Sequence, residues 1–127
     1  MTMRSYRLAA QVAVSDIGKA AEFYEGKLGL SPGESPTALT RSYPCGGGSW
    51  LHVYAAPGHA GTATGTVARF DVDDIGRVVD ELTANGVAFE QYDDPVPTDA
   101  KGIHDSGYGK VAWFKDPDGN TFALEQV

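Results

Sequence analysis

The chain has 127 residues, the size of one domain, and is 42% hydrophobic and 21% charged; such a chain buries enough surface to fold without staples. No apolar run approaches the ~18 residues of a membrane-spanning helix, and a single cysteine, Cys45, excludes an internal disulfide or a Cys-x-x-Cys zinc cluster. The formal net charge is −7 with scattered Lys and Arg, which excludes the concentrated basic surface that nucleic-acid phosphates require.

Arg4 and Arg7 lie near the N-terminus, but no apolar stretch or cleavage pattern follows them. No secretion signal is expected, and the free thiol suits a reducing compartment, so the expected location is cytoplasmic. Tyr6 to Val14 then reads as a strand, rich in apolar and β-branched residues. Ile17, Ala20, Ala21, Tyr24 and Leu28 recur at helical spacing, with Asp16 placed to cap the first turn and Gly29 to end the helix. Three strands are predicted next, over Leu30 to Ser35, Ala38 to Tyr43 and Ser49 to Tyr54, the last two joined by the Gly46-Gly47-Gly48 turn. Ala56 to Thr64 is rich in Gly, Ala and Pro and reads as a linker.

The same order then recurs. A strand over Thr66 to Val72 leads into a helix with Ile75, Val78, Val79 and Leu82 on one stripe, Asp74 at its start and Gly86 past its end. Strands are predicted over Ala88 to Tyr92, Lys110 to Lys115 and Thr121 to Gln126, with Asp94 to Gly109 as a long loop. Asp116-Pro117-Asp118-Gly119-Asn120 is a turn, because proline presets one φ and glycine permits a positive one. The recurrence is visible residue by residue: Val14-Ser15-Asp16-Ile17-Gly18-Lys19 matches Val72-Asp73-Asp74-Ile75-Gly76-Arg77, offset by 58. The prediction is therefore an α+β fold of two βαβββ modules, 1–57 and 65–127 with linker 58–64, forming a curved mixed sheet around a cleft.

The stretches VAVSDIGKAAEFYEGKLGL, ARFDVDDIGRVVDELTANGV and KVAWFKDPDGNTFAL resemble the glyoxalase/bleomycin resistance protein/dioxygenase (vicinal oxygen chelate) superfamily over nearly the whole chain. Segments such as YPCGGGSWLHVY and WFKDPDGN are similar to a bacterial subgroup of unassigned activity. The resemblance implies paired βαβββ modules, a homodimer, and in many members a divalent metal held by four side chains from the first and last strands of each half. Carried onto this chain, those positions are Ala9 and Val67, each seven residues before the helix-start Asp, His52, and Ala123, three residues after Asn120. Alanine and valine cannot coordinate, and a catalytic metal takes about three protein ligands. No metal and no other cofactor is therefore expected.

If those positions face the cleft, strand alternation brings others with them: Gln11 beside Ala9, Trp50 and Tyr54 beside His52, Arg69 beside Val67, and Glu125 beside Ala123. First and last strands of each half should be neighbours, so residues 11 and 54 are expected side by side and Arg69 with Glu125 as an ion pair. Gln11, Trp50, His52, Tyr54, Arg69 and Glu125 are the candidate ligand-binding residues. Each has a plainer reading: His52 as a bonded sheet histidine rather than a general acid or base, Arg69–Glu125 as a structural pair, Trp50, Tyr54 and Trp113 as packing. His59 is expected at the surface and His104 in the long loop. Cys45 has no base beside it and reads as inert. The Asp116–Asn120 run lacks the glycine and glutamate of a calcium loop, and no Gly-Lys-Ser/Thr follows the triple glycine.

Three functions fit this pattern. The first is a small-molecule binding protein without the usual metal; the net charge would favour a cationic ligand by long-range attraction. The second is a lyase, isomerase or dioxygenase-type enzyme using His52 or a displaced metal site. The third is a structural dimer with a vestigial cavity.

Overall fold

Strands alternate their side chains between two faces, and here one face of every strand is shielded by a helix. In the computed structural model, which describes residues 2–35 and 37–127 (Met1, the first residue of the expected first module, lies outside them), β1 (Ala10–Val14) buries Val12 and Val14 while Gln11 stays exposed. β2 (Thr40–Pro44) and β3 (Trp50–Ala55) follow, and β3 buries Leu51 and Val53. The second half contributes β4 (Thr66–Asp71), β5 (Ile103–Asp105), β6 (Lys110–Lys115) and β7 (Thr121–Gln126). The strands form two mixed sheets, ordered β1-β3-β2 and β4-β7-β6-β5; β1 runs parallel to β3 and β4 parallel to β7, the other pairs being antiparallel. The fold is α+β, two βαβ-type halves each with its helix on one sheet face.

The helices begin as their caps dictate. α1 (Ile17–Ala21) starts at Asp16, whose carboxylate accepts from the Lys19 backbone N–H at 3.0 Å, and α2 (Ile75–Ala84) starts at Asp74, which accepts from Arg77 N–H at 3.2 Å. Gly29 and Gly86 both take the positive φ that ends a helix without a Cβ clash. The predicted apolar stripe of α1 does not continue at α-helical period. Glu22–Lys27 is a π-helical stretch, whose wider turn brings Phe23 into the core beside Tyr24 and leaves Leu28 only half-buried.

Two predicted strands are absent, and one element was not expected. Leu30 to Ser35 has no strand, and Ala88 to Tyr92 keeps a single bridge, Phe89 to Phe114. The expected long loop from Asp94 to Gly109 instead supplies β5, which takes up most of that edge of β6. Edge pairing is decided by which segment reaches the open edge, and a strand's own residue pattern does not encode that.

The halves meet at a polar clasp inside an aromatic core. Phe23 and Tyr24 of the first half pack on Phe114 and Phe122 of the second, and Phe114 stacks on Phe122 with centroids 5.6 Å apart. The Asp116–Asn120 turn plugs the junction. The Tyr24 hydroxyl donates to Asp116 Oδ2 at 2.6 Å, Asn120 Nδ2 donates to the Ala13 carbonyl at 2.8 Å, and Ser15 N–H donates to Asp118 Oδ2 at 3.0 Å. Asp116 is buried without a cation, but its two oxygens also accept from Asp118 N–H, Asn120 N–H and Asn120 Nδ2. A buried carboxylate is tolerated when its lone pairs are filled in this way.

Candidate functional site

Each sheet leaves bare the face opposite its helix. On the first sheet this face carries Gln11, Ser42, Trp50, His52 and Tyr54; on the second it carries Arg69, Asp71, His104, Val111, Trp113, Ala123 and Glu125. All six candidate residues thus lie on helix-free faces, as alternation requires. Their register differs from expectation: Gln11 stands opposite His52, and Tyr54 stands opposite Ala13. A period of two determines a residue's face but leaves the offset between two strands open, and here the offset differs by one side-chain repeat.

The six do not gather in one cavity. Gln11 and Tyr54 line a hollow of about 330 Å³ with Val67, His59 and Thr62. Arg69 and Glu125 line another of about 430 Å³ with Trp113, Ala123, Val111 and Tyr108. Trp50 and Arg69 meet at a third, about 400 Å³, that runs between the halves beside Leu8 and Asp71. The long chain segments that border these hollows leave them open to solvent, so the expected single cleft is divided.

His52 is held rather than free. Its Nδ1 is 2.7 Å from the Ser42 hydroxyl on β2, and its ring lies parallel to that of Trp50 with centroids 6.1 Å apart. The Arg7 guanidinium covers Trp50 at 5.5 Å, a cation–π contact. The expected Arg69–Glu125 ion pair is present, Nη1 to Oε2 at 3.0 Å, and Asp71 adds a second carboxylate on Nε at 3.0 Å. These side chains are substantially solvent-exposed, so the pairs orient the guanidinium more than they stabilise the fold.

A divalent metal does not fit this site. Ala9, Val67 and Ala123 offer no donor, the Glu125 and Asp71 carboxylates are taken by Arg69, and among the described residues no group of three or more His, Cys, Asp or Glu could hold an ion. Burial pushes the Cys45 thiol above its ordinary pKa, the opposite of an activated nucleophile. His59 is exposed; His104 is half-buried on β5, with Nδ1 2.8 Å from the Pro97 carbonyl.

Trp113, Asp71, Ser42 and Arg7 belong to these faces and were not among the candidates. The signal for Trp113 was present in the sequence. In Lys110–Lys115, Ala112 and Phe114 turn inward, which puts Trp113 outward with Val111.

Two helix-covered mixed sheets with bare inner faces define a vicinal-oxygen-chelate type of fold. The family model for the Glyoxalase/Bleomycin resistance protein/Dioxygenase superfamily matches residues 7–124, and the chain belongs to that superfamily. It is similar to a glyoxalase/bleomycin resistance protein from Catenulispora acidiphila, at 28% identity over 95% of this chain and 97% of that one, with a TM-score of 0.69. TnmS3, an antibiotic binding protein from a Streptomyces species, is 26% identical over 99% and 98% with a TM-score of 0.69. A bleomycin resistance determinant encoded on the transposon Tn5 shares the fold at 23% identity, over 95% and 97%, with a TM-score of 0.72. No curated protein matches the chain. No helix among the described residues is long and apolar enough to cross a membrane.

Proposed function

We propose that the protein binds a small organic molecule on the bare inner faces of its two modules, 1–57 and 65–127 joined by linker 58–64, without a bound metal ion. One observation carries this reading: three of the four positions where the superfamily places metal ligands are Ala9, Val67 and Ala123, while the surrounding faces hold aromatic rings and a few paired polar groups. That mixture is the usual lining of a small-molecule site. The similarity to TnmS3, itself an antibiotic binding protein, supports the same class. A cytoplasmic homodimer completes the reading, and exposed Tyr6, Leu8 and Tyr108 supply apolar surface for a second copy.

A thermal-shift series with Mn²⁺, Ni²⁺, Co²⁺ and Zn²⁺, joined to metal analysis of the purified protein, tests the metal-free part. The expected result is no stabilisation and well below one equivalent of metal, with native mass spectrometry revealing organic ligands instead. Near-stoichiometric metal that raises the melting temperature would refute it. Light scattering measures the oligomer directly.

A further inference from the structure

The second sheet's bare face contains a row whose middle member is missing bulk. Register places both Arg69 on β4 and Trp113 on β6 opposite Ala123 on β7. Two large side chains therefore flank a methyl group. All three line the same hollow of about 430 Å³.

The two walls differ in what they have left to offer. Arg69 gives Nε to Asp71 and Nη1 to Glu125, so two of its three nitrogens are occupied by carboxylates. An end-on bidentate grip on an anion is thereby lost, and the flat π-face of the guanidinium is what remains. Trp113 is packed by Tyr92, edge-on at 5.5 Å, and by His104 at 6.5 Å. His104 sits on β5, and the Tyr92 segment bridges β6 through Phe89; in the order β4-β7-β6-β5 both lie on the far side of β6 from β7. The indole is thus backed on one side and open toward Ala123 and Arg69 on the other.

Spacing turns this into a shape. Neighbouring strands lie about 4.8 Å apart, so β4 and β6 stand about 9.6 Å apart across β7, and a ring centred over Ala123 stands about 4.8 Å from each. That is inside the ~4.5–7 Å range of paired aromatic rings and inside the ~6 Å reach of a cation–π contact. A bulky, non-planar group of similar volume would have to spread both walls.

We infer that Trp113, Ala123 and Arg69 form a slot for a planar aromatic ring system, inserted between indole and guanidinium with Ala123 as its floor. This deepens the proposed binding function and rests on it.

The test uses the full chain with two probes of equal charge: anthraquinone-2-sulfonate, which is flat, and adamantane-1-sulfonate, which is not. Binding is measured by calorimetry. The two tryptophans give two indole N–H resonances, assigned through Trp113→Leu. The flat probe is expected to bind and to shift the Trp113 resonance, with the adamantane probe roughly tenfold weaker or more. Ala123→Leu fills the floor and should weaken the flat probe by a similar factor with the circular dichroism spectrum unchanged. If that variant fails to fold, Trp113→Leu reads the same slot. Equal affinity for both probes, or an Ala123→Leu protein that folds and binds normally, overturns the slot. If organic ligands bind while only the Trp50 resonance moves, the slot is wrong and the binding function stands. If no probe and no compound from a broad collection moves either resonance, both fall.

Discussion

Replacing Tyr24 by Phe removes one hydroxyl from the junction between the two halves and changes almost nothing else. The ring is fully buried, with its centroid 5.2 Å from Phe23, 6.0 Å from Tyr43 and 5.8 Å from Phe122, and phenylalanine keeps each of those contacts. What is lost is the 2.6 Å hydrogen bond to a buried carboxylate. Hydrogen bonds to charged acceptors contribute about 1.5–3 kcal/mol, so the expected loss is about 2 kcal/mol. Unfolding entropy near 2.1 cal/mol/K per residue gives about 0.27 kcal/mol/K for this chain, hence a fall in Tm of about 7 °C. Urea denaturation at pH 7 and calorimetry measure the two quantities independently. The partner can be identified by a double-mutant cycle: in an Asp116→Asn background the same change should cost about 1 kcal/mol less. A Tyr24→Phe loss below about 0.5 kcal/mol, or one unaffected by Asp116→Asn, would refute the clasp as an energetic element.

Alkaline titration reports the same region. Burial first, then the Asp116 charge and hydrogen bond, hold the Tyr24 proton far above the ordinary value of 10.0, and burial with the Glu25 bond does so for Tyr43. The folded state keeps protons that the unfolded state releases, so stability is complete below pH 10 and falls above it, by about 1.4 kcal/mol per pH unit for Tyr24 alone; denaturation midpoints from pH 8 to 11 should bend downward near 10, and less so in Tyr24→Phe. Gly61 takes φ +69, and a Cβ there would run into the Asp118 carbonyl oxygen, so Gly61→Ala should cost about 2 kcal/mol or more by urea denaturation. Asp74→Ala removes the α2 cap and should cost about 1 kcal/mol, whereas Asp74→Asn or Asp74→Ser should restore most of it.

How much of the site was legible follows from what each signal encodes. Alternation along single strands put Gln11, Trp50, His52, Tyr54, Arg69 and Glu125 on the bare faces, and the same rule reached Trp113 once Ala112 and Phe114 were seen to turn inward. Alternation carries no depth, so it could not show that the three hollows are separate. Nor could it find Arg7 over Trp50 or Asp71 on Arg69, since these depend on rotamers and on neighbouring rows.

Local chemistry in the chain itself determined where helices start and stop, at Asp16, Asp74, Gly29 and Gly86, and where the Asp116–Asn120 turn falls, because caps and turns are satisfied by residues within a few positions of one another. The internal duplication likewise stood in the sequence. Tertiary structure alone decided that Gln11 faces His52, that the segment around Ile103 rather than Ala88 to Tyr92 completes the second sheet, and that the α1 helix widens into a π turn. Those choices are settled by competition among distant segments for the same edge or the same core volume, and no local pattern contains the competitor.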